Sequence, residues 1–202
     1  MNKLLIFLAA SFILFAVSCS DDNSPNNPAD NKPIVSKIVK NLNADTASGG
    51  KTWTFFSLSE NKEISRKDSA TKKWDIAFFK TSIICNSGVR GPGNAAIQLI
   101  SGTNFADLKT ALKEGYFQED KLNPMAINKS NTEKWYNYSG PPKHVISPKP
   151  GYVILLKTAD GKYAKLRIIS YYKDAPVNPD MKSKARFYTF EYVYQPDGSR
   201  KF

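Results

Sequence analysis

Apolar positions fall into three regimes along the chain. Leu4 to Val17 is nearly unbroken apolar sequence behind a single Lys3, and residues 19–33 hold almost nothing apolar. From Ile34 onward, short apolar or alternating segments recur, divided by Gly, Pro, Asn and Asp about every ten residues, which is β patterning. Trp53 to Leu58 reads as an early strand, and Lys73 to Phe79 as another that leads into Ser82 to Cys85. Ala95 to Ile100 and Tyr152 to Lys157 are further apolar strands. Ala159-Asp160-Gly161 then supplies a tight hairpin turn, because Asp-Gly tolerates the positive φ angles it needs. The return strand places Ala164, Leu166 and Ile168 on one face and Lys165 and Arg167 on the other, one buried and one wet. Phe187 to Tyr194 puts Tyr188, Phe190, Tyr192 and Tyr194 on a single face, to be read either as core or as the wall of an aromatic ligand site. One helix is expected. Thr103 or Asn104 caps it, Phe105, Leu108, Ala111 and Leu112 share a face, and Gly115 ends it.

The first regime has the layout of a signal peptide over residues 1–18: one basic residue, an apolar core, then small residues. The core is shorter than the roughly twenty apolar residues of a membrane-spanning helix. Ala16-Val17-Ser18-Cys19 suits a lipoprotein signal peptidase, which leaves a diacylated Cys19; the alternative is an ordinary signal peptide with an incidental cysteine. Residues 19–33 then form a flexible, solvated tether. Its Ser20-Asp21-Asp22 start resembles an acidic signal for display on the outer face of the outer membrane, or is simply part of a polar linker. Residues 34–202 have the length of one domain with its own core. The expected location is therefore the outer membrane, lipid-anchored and exposed at the cell surface.

Charge and rare residues narrow the chemistry. The 202-residue chain carries a net charge of +11. Lys3 and Lys32 are the only basic residues before residue 34, and Asp21, Asp22 and Asp30 the only acidic ones, so the domain itself carries +12. Such a surface attracts anions: lipopolysaccharide, acidic glycans, haem propionates. Nucleic acid is not expected as a partner outside the cell. Cys19 and Cys85 are the only cysteines and His144 the only histidine, so with Cys19 lipidated there is no intrachain disulfide, and no Cys/His metal cluster. The glycine-rich stretch Asn86 to Asn94 lacks the Gly-Lys-Ser/Thr ending of a phosphate loop, and a strand follows it where a dinucleotide site needs a helix. No serine sits in a Gly-x-Ser-x-Gly elbow, and no nucleophile–base pair or carboxylate spacing argues for an enzyme. Trp135 to Gly151 is a long segment joining aromatics, prolines, His144, Lys143 and Lys149, the kind of loop that carries binding sites.

Several of these pieces together resemble the HmuY family of haem-binding, haemophore-like outer-membrane lipoproteins. They are Trp74-Asp75-Ile76-Ala77-Phe78, Asn86-Ser87-Gly88 with Gly91-Pro92-Gly93, and Trp135-Tyr136-Asn137-Tyr138 with the His144 loop. Ala159 to Leu166 leading to Ser170-Tyr171-Tyr172, and the closing Tyr188-Thr189-Phe190, complete the set, in the right order. The resemblance implies a mainly β, antiparallel, sandwich-like fold with one or two short helices. Two long loops would grip b-type haem as cargo, taken from host haem carriers and passed to a TonB-dependent outer-membrane receptor for iron acquisition. Family members ligate iron with a pair of His or a pair of Met. Here the second ligand position falls on Gly140, which has no side chain, and Met125 is the soft donor upstream of Trp135.

Haem iron takes imidazole nitrogen or thioether sulfur axially. Met125 and His144 are therefore the axial candidates; Tyr136 and Tyr138 are placed to stack on the porphyrin, and Lys143 and Lys149 to meet its propionates. Met181 lies in a later polar loop, and Cys85 reads as inert core. Without a second ligand, binding would be five-coordinate or purely apolar. The competing expectation is a surface binding module for a glycan, another tetrapyrrole or a protein.

Overall fold

The structure is a computed structural model that describes residues 34–45, 52–121, 125–127 and 134–202. The expected signal peptide, Cys19 and tether lie outside the described residues. Among the described residues eleven strands are all paired antiparallel: β1 (Ser36–Asn43), β2 (Thr54–Ser57), β3 (Lys62–Ile64), β4 (Ile76–Phe79), β5 (Ser82–Cys85), β6 (Ala96–Ile100), β7 (Tyr136–Tyr138), β8 (Ile146–Pro148), β9 (Val153–Lys157), β10 (Tyr163–Tyr172) and β11 (Ala185–Gln195). They form a five-stranded sheet in the order β1-β11-β10-β9-β6, a four-stranded sheet β3-β2-β4-β5, and a separate β7-β8 hairpin. Helical backbone among the described residues is limited to a 3₁₀ turn at Arg66–Asp68 and to Ala126 and Ile127.

The sheets pack face to face through alternate residues. Phe56, Ile76, Phe78, Ile83 and Cys85 meet Leu99, Ile154, Leu156, Leu166, Tyr188, Phe190 and Tyr192 in one cluster. Phe78 lies 4.7 Å from Tyr188 and 5.4 Å from Phe190, ring to ring. The aromatic stripe of β11 is thus core: Tyr188, Phe190 and Tyr192 are buried and Tyr194 half-buried. Their hydroxyls are satisfied inside, Tyr188 donating to the Lys80 carbonyl at 2.8 Å and Tyr192 to that of Leu58 at 2.9 Å. Gly161, at φ 84°, holds the left-handed position of the turn between β9 and β10.

Two expectations need correction, and they share a cause. Residues 103–115 do not form a helix. After one turn at 105–107 the chain runs extended, with Thr110 bridged to Lys201 and the Phe202 amide donating to the Lys109 carbonyl at 2.8 Å. Lys165, expected on the wet face, is buried. Its ammonium donates to the carbonyls of Phe105 at 2.7 Å and Leu108 at 2.8 Å. Those are carbonyls a continuing helix would offer to its own amides four residues on. The buried lysine and the C-terminal residues take over the backbone groups that a helical ladder would have paired. Phe105 also covers the outer face of the five-stranded sheet, against Val153 and Val193, and lies 4.6 Å below the Lys165 ammonium. Burial lowers the pKa of Lys165 from its ordinary value. Lys165→Met is expected to cost about 1–3 kcal/mol, because two buried carbonyls lose their donor; urea unfolding measures it, and an unchanged midpoint would refute this account. Arg167 is exposed as expected and pairs with Glu191 at 2.6 Å.

A polar clasp closes one end of the sandwich. Asp75 accepts the Leu58 amide at 2.8 Å and the Ala159 amide at 3.0 Å, joining the four-stranded sheet to the β9–β10 turn. Asn86 donates to the carbonyls of Thr71 at 2.9 Å and Trp74 at 2.7 Å, and accepts the Gly93 amide at 3.0 Å. A Cβ at Gly91 would stand 2.1 Å from the Asn86 Oδ1, so only glycine fits. Trp74 is fully buried beneath the clasp, edge-on to Phe55 at 4.8 Å, and its indole donates to the Ser69 carbonyl at 2.9 Å.

Candidate functional site

The β7-β8 hairpin is fixed at its base and exposed at its tip. Trp135, just before β7, is buried; its indole donates to the Thr81 carbonyl at 3.0 Å and its ring lies 5.5 Å from that of Tyr188. The Ile146 amide donates to the Tyr172 hydroxyl at 2.9 Å, tying β8 to β10. Beyond this anchored base, Tyr138 faces solvent. The tip closes on itself: the His144 amide donates to the Gly140 carbonyl at 2.8 Å, and the Val145 amide to the Ser139 hydroxyl at 3.0 Å. His144 takes a left-handed backbone, φ 50°, which turns the chain back into β8.

His144 is exposed, and its Nδ1 shares a hydrogen bond with the Tyr138 hydroxyl. In the tautomer where Nδ1–H donates to the tyrosine oxygen, Nε2 keeps its lone pair for an electrophile or a metal. The tyrosine then orients the ring as outer partners of metal-bound histidines do.

Two clefts flank the hairpin. The first, of about 230 Å³, is lined by Ser82, Leu99, Met125, Ile127, Lys134 and Tyr136. Met125 is half-buried there, and the Lys134 ammonium lies 5.6 Å over the Tyr136 ring. The Met125 segment is pinned from below. Glu119, itself buried, accepts the Ala126 amide at 3.0 Å through one carboxylate oxygen and the Cys85 amide at 3.0 Å through the other. Burial raises the pKa of Glu119 from its ordinary value even though both amides favour the carboxylate. The same burial pushes the Cys85 thiol far up, so it stays protonated core.

The second cleft, of about 740 Å³, separates the tip from the loop joining β10 to β11. Pro142, Lys143 and Val145 line one side, and Val177, Met181 and Lys182 the other.

Of the residues singled out from sequence, the structure brings Met125 and Tyr136 together on the first cleft and Tyr138 and His144 together at the tip. Lys143 lines the second cleft. Lys149 stands apart at the hairpin base, its ammonium 4.9 Å over the Tyr152 ring. Met125 lines the first cleft, and His144 lines neither of the two. Sequence alone places Met181 in a polar loop; the structure puts it on the wall of the second cleft. The signal that marks it is the recurrence of Val177 and Met181, two apolar side chains four residues apart in an otherwise polar stretch. Among the described residues no group of three or more His, Cys, Asp or Glu could hold a metal ion. No helix among them is long and apolar enough to cross a membrane.

The architecture is shared with solved structures. The apo HmuY analog of Tannerella forsythia matches at a TM-score of 0.51 and 17% identity, over 81% of this chain and 96% of that one. Apo PinO from Porphyromonas gingivitis matches at a TM-score of 0.53 and 15% identity, over 80% and 98%. A Bacteroides fragilis chain described as a lipoprotein matches at 0.50 and 18%, over 80% and 90%. At these identities the likeness is one of fold. No curated protein matches the chain. The model of the HmuY protein family, however, matches residues 50–192, well over half of the sequence. The sandwich, the clasp around Trp74 and the aromatic hairpin are therefore those of a family member: this chain belongs to the HmuY family.

Proposed function

We propose that this protein is a haemophore-like surface lipoprotein that binds haem and passes it to a TonB-dependent outer-membrane receptor. In this reading residues 1–18 are removed on export, Cys19 carries the lipid, residues 19–33 form the tether, and residues 34–202 are the binding domain. Haem is cargo taken from host carriers, and binding rather than catalysis is the activity.

The observation that carries the reading is the hairpin. A rigidly based aromatic ribbon holds at its tip an exposed imidazole, hydrogen-bonded through Nδ1 to Tyr138, and the half-buried Met125 lies on the cleft at its flank. Iron takes at least one donor from this surface, with His144 and Met125 as candidates. Tyr136 and Tyr138 offer flat surfaces to the macrocycle, and Lys143 offers a cation to its propionates.

Hemin titration of the purified protein is expected to shift the Soret band. His144→Ala or Met125→Ala is expected to alter the spectrum and weaken binding about tenfold or more. An unchanged spectrum in both iron oxidation states would reject the proposal.

One observation favours a second reading. Met125 lines the first cleft while His144 stands at the tip and lines neither cleft, so a ligand held by shape and charge alone, such as an iron-free tetrapyrrole or an acidic glycan, fits the +12 domain. Binding of such a ligand would be indifferent to both substitutions.

A further inference from the structure

Val177 is 93% exposed and Met181 70%, both beside Pro142 and Val145 of the hairpin tip. Large apolar side chains left together in water mark a binding surface. The loop that carries them is held in place without them. The Asp180 carboxylate accepts the amides of Lys182 and Ser183, each at 3.0 Å, and the Ser183 hydroxyl at 2.9 Å. At the loop's start, Asp174 exchanges two hydrogen bonds with Asn41 of β1, at 2.8 and 2.7 Å. Met181 therefore sits on a built turn, with its thioether free for another task.

The cleft's size and charge select the ligand. About 740 Å³ lies within the range of roughly 300–1,000 Å³ typical of small-molecule sites. Lys143 stands on one wall and Lys182 on the other, where the Asp180 carboxylate also lines the cleft but is engaged by the amides and hydroxyl of its own turn. Two cations about an apolar slot suit a flat, apolar body bearing carboxylates. The imidazole of His144 lies next in sequence to Lys143, on the same tip.

We infer that Met181 is a donor to the iron of the haem cargo, and that the cleft between the hairpin tip and the β10–β11 loop receives one face of the porphyrin. This rests on the haem reading above. The sulfur lone pair forms the bond to iron and displaces water; no proton is released, because a thioether is neutral. His144 must instead be unprotonated to bind.

The test is hemin titration of the wild-type protein, M181A and M181L, in ferric and ferrous states, with methyl NMR of protein labelled at methionine. The Met181 methyl resonance is expected to move far upfield in the ferrous complex, and both variants to alter the Soret band and weaken binding about tenfold or more. If the wild-type binds hemin while the Met181 methyl stays in place and both variants titrate like wild-type, the assignment of Met181 is wrong and the haem reading stands. If the wild-type itself gives no spectral change, the haem reading fails and takes this assignment with it.

Discussion

Replacing Trp74 with alanine is expected to lower stability by about 3–5 kcal/mol, the cost of emptying a large buried aromatic site. The void cannot close cheaply. On one side stands Phe55, 4.8 Å away on a paired strand. On the other stands the Gly91 backbone, so close that even a Cβ there would come within 2.9 Å of the indole. The indole's bond to the Ser69 carbonyl is lost as well. Domains of this kind are stable by about 5–15 kcal/mol in all, so W74A stands near unfolding under ordinary conditions. Urea denaturation should show a lower midpoint at unchanged slope. A loss below about 1 kcal/mol would mean that the site collapses after all.

Asp75→Ala is expected to cost about 2–4 kcal/mol, because the buried amides of Leu58 and Ala159 both lose their acceptor. The effect has a pH signature. Burial first, then repulsion from Asp160 and Glu60, raise the Asp75 pKa from 3.8 to about 6, outweighing the two amides that lower it. The folded state thus holds the Asp75 proton more tightly than the unfolded chain. The stabilisation this brings is fully present below pH 3.8 and is lost as pH rises through about 6. Acidifying from pH 7 to pH 5 should therefore widen the gap between wild-type and D75A by about 1 kcal/mol. A gap that narrows over that range would contradict the burial argument.

Alternation made several strands legible. β5 spans Ser82–Cys85 as read from sequence, and β9, β10 and β11 lie where the hairpin and the aromatic stripe put them. β1 was not read, because Ser36–Asn43 is an edge strand whose residues are mostly partly or fully exposed and which bulges at Asn41. β3, β7 and β8 have three residues each, too few to show any period. The helical spacing of Phe105, Leu108 and Ala111 arises from separate burials. Phe105 packs on Val153 and Val193, while Ala111 pairs its backbone with Arg200. Local sequence cannot show either partner.

The site divides in the same way. His144 and Tyr138, six residues apart on one hairpin, were legible together. Met181 was not, because the wall it faces lies some forty residues upstream on that hairpin. Of the residues that carried the family resemblance, Trp74, Asp75, Asn86 and Gly91 prove to be the clasp. They report the frame and are silent on the cargo.

Both margins of the five-stranded sheet are blunted. Along β6, Ile97 exchanges backbone bonds with Phe117 at 2.9 and 3.0 Å, so that margin is partly covered. Along β1, the bulge at Asn41 breaks the ladder, and Lys37 and Lys40 stand on the strand. Copies crowded side by side would therefore meet charge and a kink instead of a straight row of unpaired amides. Growth into fibres by adding strand to strand is disfavoured, however densely the molecules are packed.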